Sequence, residues 1–463
     1  MLRKIIFSAL FVLFLAGSCC AADIKWLGAF KKEDRVLILA PHPDDEAIGC
    51  AGVIQQAVAQ RAKVKIVCLT NGDHNQPAFS VYKKKPILLK STFLNMGEVR
   101  RKEAIGAVKS LGAHKHNIVF LGYPDFGIFE IFSQYWNPKQ PFSNLFTRTT
   151  SVPYKTSFSY GALYVGQSIL QDLKRVILDY KPSKIFVSHP ADVNGDHKAL
   201  YLFLQVALLD LGDQIPEPKI YPYLIHCPGW PSPRDYHPEL DLEPPGIFTG
   251  TEFEWKKLAL SAKQINKKYD AIMHYRSQTA SSAFYLLSFA RRSELFGDCP
   301  TVEIKRQAAL KEKAMSFFGF SEMYMDPGSA TLDDAENYIG KEGSVSYAVV
   351  NGDLLVRIEK PKELDHRFSA ELYLFGYSRK AAFKDMPKIF ITVQHKNCRV
   401  FNAKNLIEES GVTVSLKENA CVLRVPLKTL NDPQVIFSSV KTFGDKLPVD
   451  TVAFRRIEIK NGT

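Results

Sequence analysis

The sequence predicts an α/β fold, a parallel sheet with helices on both faces, followed by a C-terminal all-β sandwich. Three observations predict it. Between Arg35 and about Ala290, short apolar runs alternate with amphipathic stretches of helical period, the pattern of a parallel sheet covered on both sides. From Ser344 onward the period becomes two, as in half-buried strands. The chain has 463 residues, too many for one ordinary core, which makes two domains the prior.

The N-terminus carries Arg3 and Lys4, an apolar stretch over residues 5–15 and small residues over 16–22. That is the plan of a secretory signal peptide cleaved after Ala22, and it is too short for a membrane span. An exported protein, periplasmic or extracellular, is expected. Leu15-Ala16-Gly17-Ser18-Cys19 offers the alternative of a lipid anchor through Cys19. No second apolar stretch of spanning length follows. The net charge of +12, or +10 without Arg3 and Lys4, favours anionic partners. No nucleic-acid module is recognisable, and Lys83-Lys84-Lys85 reads as a solvated run.

Strands are expected at 36–40, 64–70, 118–121, 185–188 and 220–225, with helices at 47–61, 99–111, 169–180 and 198–211. Asn95 and Glu98 have the spacing of a capping box, and Gly112 is placed to end that helix. Between Tyr123 and Tyr164 the rhythm fails and aromatics crowd in. So long a loop is usually functional; its rings either stack on a sugar or pack on one another. The resulting arrangement is Rossmann-like.

Asp326-Pro327-Gly328-Ser329 begins a linker over 326–342, dividing residues 23–325 from a β-sandwich at 343–463. Asn351-Gly352 between two alternating runs signals a hairpin. Further strands are expected at 371–375, 389–393, 412–416, 421–425, 435–439 and 451–459, enough for a sandwich with its own core. It is read either as a carbohydrate-binding module or as a structural or docking one, and all four tryptophans lie outside it. Cys50 and Cys68 fall in apolar contexts and read as core residues. Cys398 and Cys421 lie on candidate neighbouring strands, where an exported protein could form a disulfide.

Two strand ends carry the chemistry. Pro41-His42-Pro43-Asp44-Asp45-Glu46 follows the apolar run 36–40, and His189-Pro190-Ala191-Asp192-Val193-Asn194-Gly195-Asp196-His197 follows 185–188. In an open parallel sheet such loops emerge at one edge and meet in a crevice. His42, Asp45 and His197 then supply three ligands and leave a fourth position for water, the ligand count of a catalytic zinc site. The competing reading makes Asp44, Asp45 and Glu46 mere caps of the following helix.

The first run, with Gly49 and Gly52 behind it, resembles the signature of the PIG-L/LmbE-like N-acetylglucosamine deacetylases. Arg100-x-x-Glu103-Ala104 with Leu111-Gly112, Leu121-Gly122-Tyr123-Pro124-Asp125 and Asp192-x-Asn194-x-Asp196-His197 resemble that family's later blocks, in order. Pro228-Gly229-Trp230-Pro231 and Tyr275-Arg276-Ser277-Gln278 echo it more weakly, and the likeness covers about 33–280. The resemblance implies a zinc or other divalent-metal hydrolase acting on an N-acetylated sugar. His42, Asp45 and His197 would hold the metal and Asp44 would act as general base. Arg100 would anchor substrate, or else pair with Glu103 at the surface. Asp192 and Asp196 would orient ligands. Many members carry a histidine where this chain has Asn194, a neutral amide that can donate to an oxyanion but cannot supply a proton.

Other classes are disfavoured. There is no G-x-S-x-G elbow and no H-E-x-x-H, which argues against serine hydrolases and that type of metalloprotease. An amidase for another acylated amine and a non-catalytic, metal-bearing sugar-binding protein are the alternatives.

Overall fold

The structure is a computed structural model that describes residues 24–75, 80–82, 89–248, 251, 253–307, 321–324, 344–359, 364, 368–394, 396–417, 419–444, 447–451 and 453–460. The signal segment 1–22 with Cys19, Lys83-Lys84-Lys85 and the linker 326–342 lie outside the described residues. No described helix is long and apolar enough to cross a membrane.

Eight described strands form the first sheet: β1 (Lys25–Trp26), β2 (Arg35–Ala40), β3 (Lys63–Thr70), β4 (Ile118–Tyr123), β5 (Lys184–Ser188), β6 (Lys219–Tyr223), β7 (Glu254–Ala259) and β8 (Ser293–Asp298). Their order is β1-β7-β8-β6-β5-β2-β3-β4. β6, β5, β2, β3 and β4 are mutually parallel. β8 runs antiparallel to β6 and β7, so the sheet is mixed toward one edge. Two consecutive helices between β7 and β8, in place of one crossover helix, return the chain to the end it left.

The helices are α1 (Asp45–Ala59), α2 (Lys90–Ser110), α3 (Ile128–Gln134), α4 (Gly166–Tyr180), α5 (Gly195–Leu211), α6 (Ala262–Met273) and α7 (Arg276–Leu286). They cover both faces. Val36, Ile38 and Ala40 of β2 join one apolar cluster with α1, α2 and α6, while Leu37 and Leu39 join another with α3, α4 and α5. A strand buried on both sides has no polar face, which is why it reads as a continuous apolar run.

α2 starts at Lys90, well before the expected 99, because Phe93 and Met96 are buried and extend its inner stripe. Asn95 and Glu98 therefore lie inside the helix and form no capping box. Gly112 does sit past its end with φ +96. The aromatic loop after β4 contains α3, and Phe132, Trp136, Phe142, Tyr154 and Tyr164 are buried, whereas Phe126 and Tyr160 are exposed.

The remaining strands are β9 (Val302–Gln307), β10 (Ser321–Tyr324), β11 (Ser344–Val350), β12 (Asp353–Glu359), β13 (Ser369–Tyr377), β14 (Lys388–Gln394), β15 (Asn397–Asn402), β16 (Asn405–Leu406), β17 (Thr413–Lys417), β18 (Ala420–Pro426), β19 (Val435–Gly444), β20 (Leu447–Thr451) and β21 (Arg455–Lys460). They enclose a core that includes Val356, Leu372, Ile389, Leu423 and Ile457. The β11–β12 turn has Asn351 at φ +54 and Gly352 at φ +81, the paired positive angles of a type I′ hairpin. The expected run 451–459 is split between β20 and β21. β9 pairs in parallel with both β21 and β11 and so joins the two halves of the sandwich, although it precedes residue 343. Cys398 and Cys421 are free thiols. Their strands are not hydrogen-bonded neighbours, since β15 pairs with β14 and β16 whereas β18 pairs with β12 and β17, but both side chains face the same core.

The β-rich half shares a core with the first. Phe132 meets Phe375 and Phe383 at 5.2 and 5.6 Å between ring centroids, and Phe129 meets Tyr373 and Phe454 at 5.4 and 5.8 Å. Burying each such ring contributes about 1.5–3 kcal/mol, so uncovering several at once costs a sum comparable to a whole domain's stability of about 5–15 kcal/mol. A chain truncated after residue 330 is expected to aggregate and to lose cooperative thermal unfolding. A sharp melt of the truncated protein by circular dichroism, with a monomer in light scattering, would contradict this.

Candidate active site

β2 has β3 on one side and β5 on the other, so the chain's direction of travel across the sheet reverses between β2 and β5. Loops leaving the carboxyl ends at such a reversal flank a crevice. The loop after β2 brings His42, Asp44 and Asp45; the loop after β5 brings Asp192, Asn194 and, on the first turn of α5, Asp196 and His197.

The structure brings the three expected ligands together. A donor atom from each of His42, Asp45 and His197 lies within 4.8 Å of the others, and all three residues are buried. Asp45 Oδ2 is 3.3 Å from His42 Nδ1 and 3.3 Å from His197 Nε2. The opposite ring nitrogens face other carboxylates. His42 Nε2 is 3.1 Å from Asp125 Oδ1 and 3.2 Å from Asp196 Oδ2. His197 Nδ1 lies 3.0 Å from Asp192 Oδ2, an ion-pair distance outside hydrogen-bond angles. His197 Nε2 is buried with no hydrogen-bond partner.

This donor set fits a divalent cation. Each imidazole turns one nitrogen to the shared centre and the other to an orienting carboxylate, the usual support of a metal-bound histidine. Two further groupings, His42–Asp125–Asp196 and Asp192–His197–His226, also come within range. They are weaker candidates, because Asp196 and Asp192 each have both carboxylate oxygens taken by backbone N–H groups, whereas Asp45 accepts one such group, from His42.

Charge is dense here. Burial opposes protonation of His197, but Asp192 and Asp45 outweigh it and lift its pKa to about 9. Burial likewise opposes charge on His42, which Asp125, Asp196 and Asp45 overcome, holding it well above the usual range. Asp45 stays well below the carboxylate range despite burial, because His197 and His42 flank it. Burial pushes Asp44 the other way, up to about 7, against the opposing pull of Arg100.

Asp44 sits at φ +116, a region that non-glycine residues rarely occupy. Such a conformation costs about 1–3 kcal/mol and persists where neighbours enforce it. They do so here: its N–H donates to Glu46 Oε2, and its carbonyl accepts from Ala47 and Ile48. Arg100 is buried, which excludes a surface pair with Glu103; Glu103 instead accepts from Ser277. Its guanidinium donates to Gly72 O, Pro43 O and Asp44 Oδ2 at 3.0, 2.6 and 3.1 Å. A Cβ on Gly72 would lie 2.3 Å from Arg100 Nη1, so only glycine lets the guanidinium close on that turn.

Asn194 caps α5, its Oδ1 accepting the Asp196 N–H at 2.8 Å. His189 is buried and stacked on Trp255, away from the three-ligand cluster. Above the cluster lies a cavity of about 240 Å³ lined by Asp44, Arg100, Asn194, Phe126, Gln278 and Tyr285 among others. That is below the roughly 300–1,000 Å³ of drug-sized pockets, and it suits one small ring or acyl group. Asn75 and Gln278 bond across its rim at 2.6 Å.

Asp125, His226, Gln278 and Tyr285 were given no role from the sequence. Asp125 follows β4 and His226 follows β6, so the strand-end rule that singles out His42 and His197 applies to them equally.

Residues 37–208 match the family model PIG-L, GlcNAc-PI de-N-acetylase. No curated protein matches significantly. Among solved structures, the chain is similar to the N,N'-diacetylchitobiose deacetylase from Pyrococcus horikoshii, with 19% identity over 56% of this chain and 82% of that one and a TM-score of 0.33. For the A40926 pseudoaglycone deacetylase Dbv21 the figures are 16%, 57%, 96% and 0.37. For GalB, the 4-carboxy-2-hydroxymuconate hydratase from Pseudomonas putida KT2440, they are 17%, 58%, 98% and 0.36.

Proposed function

We propose that this chain, whose residues 37–208 carry a PIG-L family domain, is a metal-dependent N-deacetylase acting on an N-acetylglucosamine-type sugar in a glycoconjugate or polysaccharide. The observation that carries the reading is the meeting of His42, Asp45 and His197 beneath a cavity that Asp44 also lines. His42, Asp45 and His197 would hold the cation, with zinc suited to such nitrogen and oxygen donors. When bound, the cation supplies positive charge that acidifies a water and polarises the acyl carbonyl.

The chain's own residues do the rest. Asp44 takes the proton of the attacking water as its oxygen bonds to the carbonyl carbon. The carbon–nitrogen bond then breaks, Asp44 returns the proton to the departing amine, and a free amine leaves together with acetic acid, which ionises to acetate in solution. Arg100, which lines the cavity, holds Asp44 in its strained turn and is the substrate-binding cation of this reading. Asn194 has its carbonyl committed to the helix cap, so its NH₂ is the part free to donate to the developing oxyanion. The rival of a binding protein without catalysis leaves the strained, buried Asp44 with no task. The export read from residues 1–22 favours an envelope or extracellular glycan.

Acetate release across a panel of N-acetylated glycans tests this. Release from hexosamine-containing members is expected, abolished by a chelator and restored by added zinc. Activity confined to a thiol conjugate or an acyl-peptide would move the protein to another amidase class, and glycan binding without acetate release would establish the non-catalytic rival.

A further inference from the structure

His226 lines the cavity beside His197 and has no part in the steps above. Its backbone is fixed from two sides: its N–H donates to Asp192 Oδ2 at 2.9 Å, and its carbonyl accepts from the Val193 N–H at 3.1 Å. Its ring is fixed as well, stacked on Tyr285 with centroids 6.1 Å apart and edge-on to His197 at 4.8 Å.

The hydrogen bonds also choose its tautomer. Tyr285 Oη donates its only proton to the Ile225 carbonyl at 2.9 Å. Toward His226 Nδ1, 3.4 Å away, that oxygen can therefore only accept. The ring proton then sits on Nδ1 and the lone pair on Nε2. Among the described residues Nε2 has no hydrogen-bond partner. A rigid acceptor on a cavity wall, unpaired within the protein, is the kind of group that orients a ligand.

We propose that His226 determines specificity: its Nε2 accepts a hydrogen bond from the scissile amide's N–H or from an O–H group carried beside it. The inference rests on the amino-sugar reading of this cavity. The position follows from the ring's contact with His197, which puts any partner of Nε2 close to the reacting acyl group. A site with an acceptor of this kind rejects analogues lacking the donor, because the acceptor is then left unpaired. With Asn194 offering a donor and His226 an acceptor, the wall is matched to a hydroxylated ring rather than to an apolar one.

Isothermal titration of the zinc-loaded protein carrying Asp44→Asn reads binding without turnover. The probes are N-acetylglucosamine, its 3-deoxy analogue and its N-methylated amide. His226→Ala is expected to weaken binding of N-acetylglucosamine about tenfold and to leave unchanged the analogue that lacks the donor. If that analogue is the 3-deoxy sugar, the donor is the hydroxyl; if it is the N-methyl amide, the donor is the amide N–H. His226→Gln, which keeps a carbonyl acceptor, should recover most of the affinity. Equal weakening of all three probes, or a lower zinc content in His226→Ala, would show that the ring merely supports His197 and would overturn the proposal. If no probe binds the protein that retains His226, the amino-sugar reading itself fails and takes this inference with it.

Discussion

Asp44→Asn is expected to lower acetate release by about 10²–10⁴-fold, the usual contribution of a positioned acid or base, with metal content unchanged. The substitution is close to isosteric and keeps the backbone N–H bonded to Glu46, so the turn survives. What it removes is the carboxylate that receives and returns the proton. Arg100 loses an ion pair but keeps its two backbone carbonyls. A pH profile sharpens the test. Burial pushes Asp44 up to about 7 against Arg100, and a cation at the neighbouring cluster pulls it lower. A base works only when deprotonated, so the rate should fall as pH drops through a value at or below about 7, and that limb should vanish in the variant. Turnover within tenfold of the parent, with the limb intact, would place the base elsewhere, Asp125 being the next carboxylate in the cavity.

The parts of this molecule written in short-range patterns were legible in its sequence. The apolar runs of β2, β3 and β5 show because strands covered on both faces have no polar face, and the Asn351-Gly352 turn shows because few other pairs tolerate two positive φ angles. The polar residues beyond β2 and β5 were legible for a topological reason, since parallel strands deliver their following loops to one edge. Long-range pairing was not. Nothing local in Val302–Gln307 reveals that it bridges β21 and β11. The rings of Phe129 and Phe132 read equally well as a sugar platform or as core, and only their partners across the seam decide it. Arg100 reads from the sequence as a substrate anchor or as a surface partner of Glu103, and its hold on Asp44 does not show there because its buried contacts are carbonyls and a carboxylate supplied by distant turns. The φ of Asp44 is enforced by tertiary contacts, and no composition rule encodes it.

His197→Ala is expected to reduce bound metal from about one ion per chain to a small fraction, and to abolish hydrolysis with it. The ring serves two partners at once, with Nε2 on the shared centre and Nδ1 against Asp192. Its removal also leaves the buried Asp192 without its cationic partner and the buried Asp45 with His42 alone. Breaking a buried pair from one side costs about 3–5 kcal/mol, so the variant should melt early even without metal. His197→Gln, which fills more of the space and can still hydrogen-bond, separates the two effects: it should recover part of the stability and little of the metal. Affinity in the parent should rise with pH. A cation binds the deprotonated imidazole, and in the metal-free protein the flanking carboxylates outweigh burial to hold His197 protonated up to about pH 9. Each step down in pH therefore makes the proton a stronger competitor. Metal analysis after dialysis at pH 6 and pH 8, for the parent and both variants, measures all of this. Full occupancy in a folded His197→Ala protein would reassign the cation to His42, Asp125 and Asp196, the neighbouring set whose donors also converge.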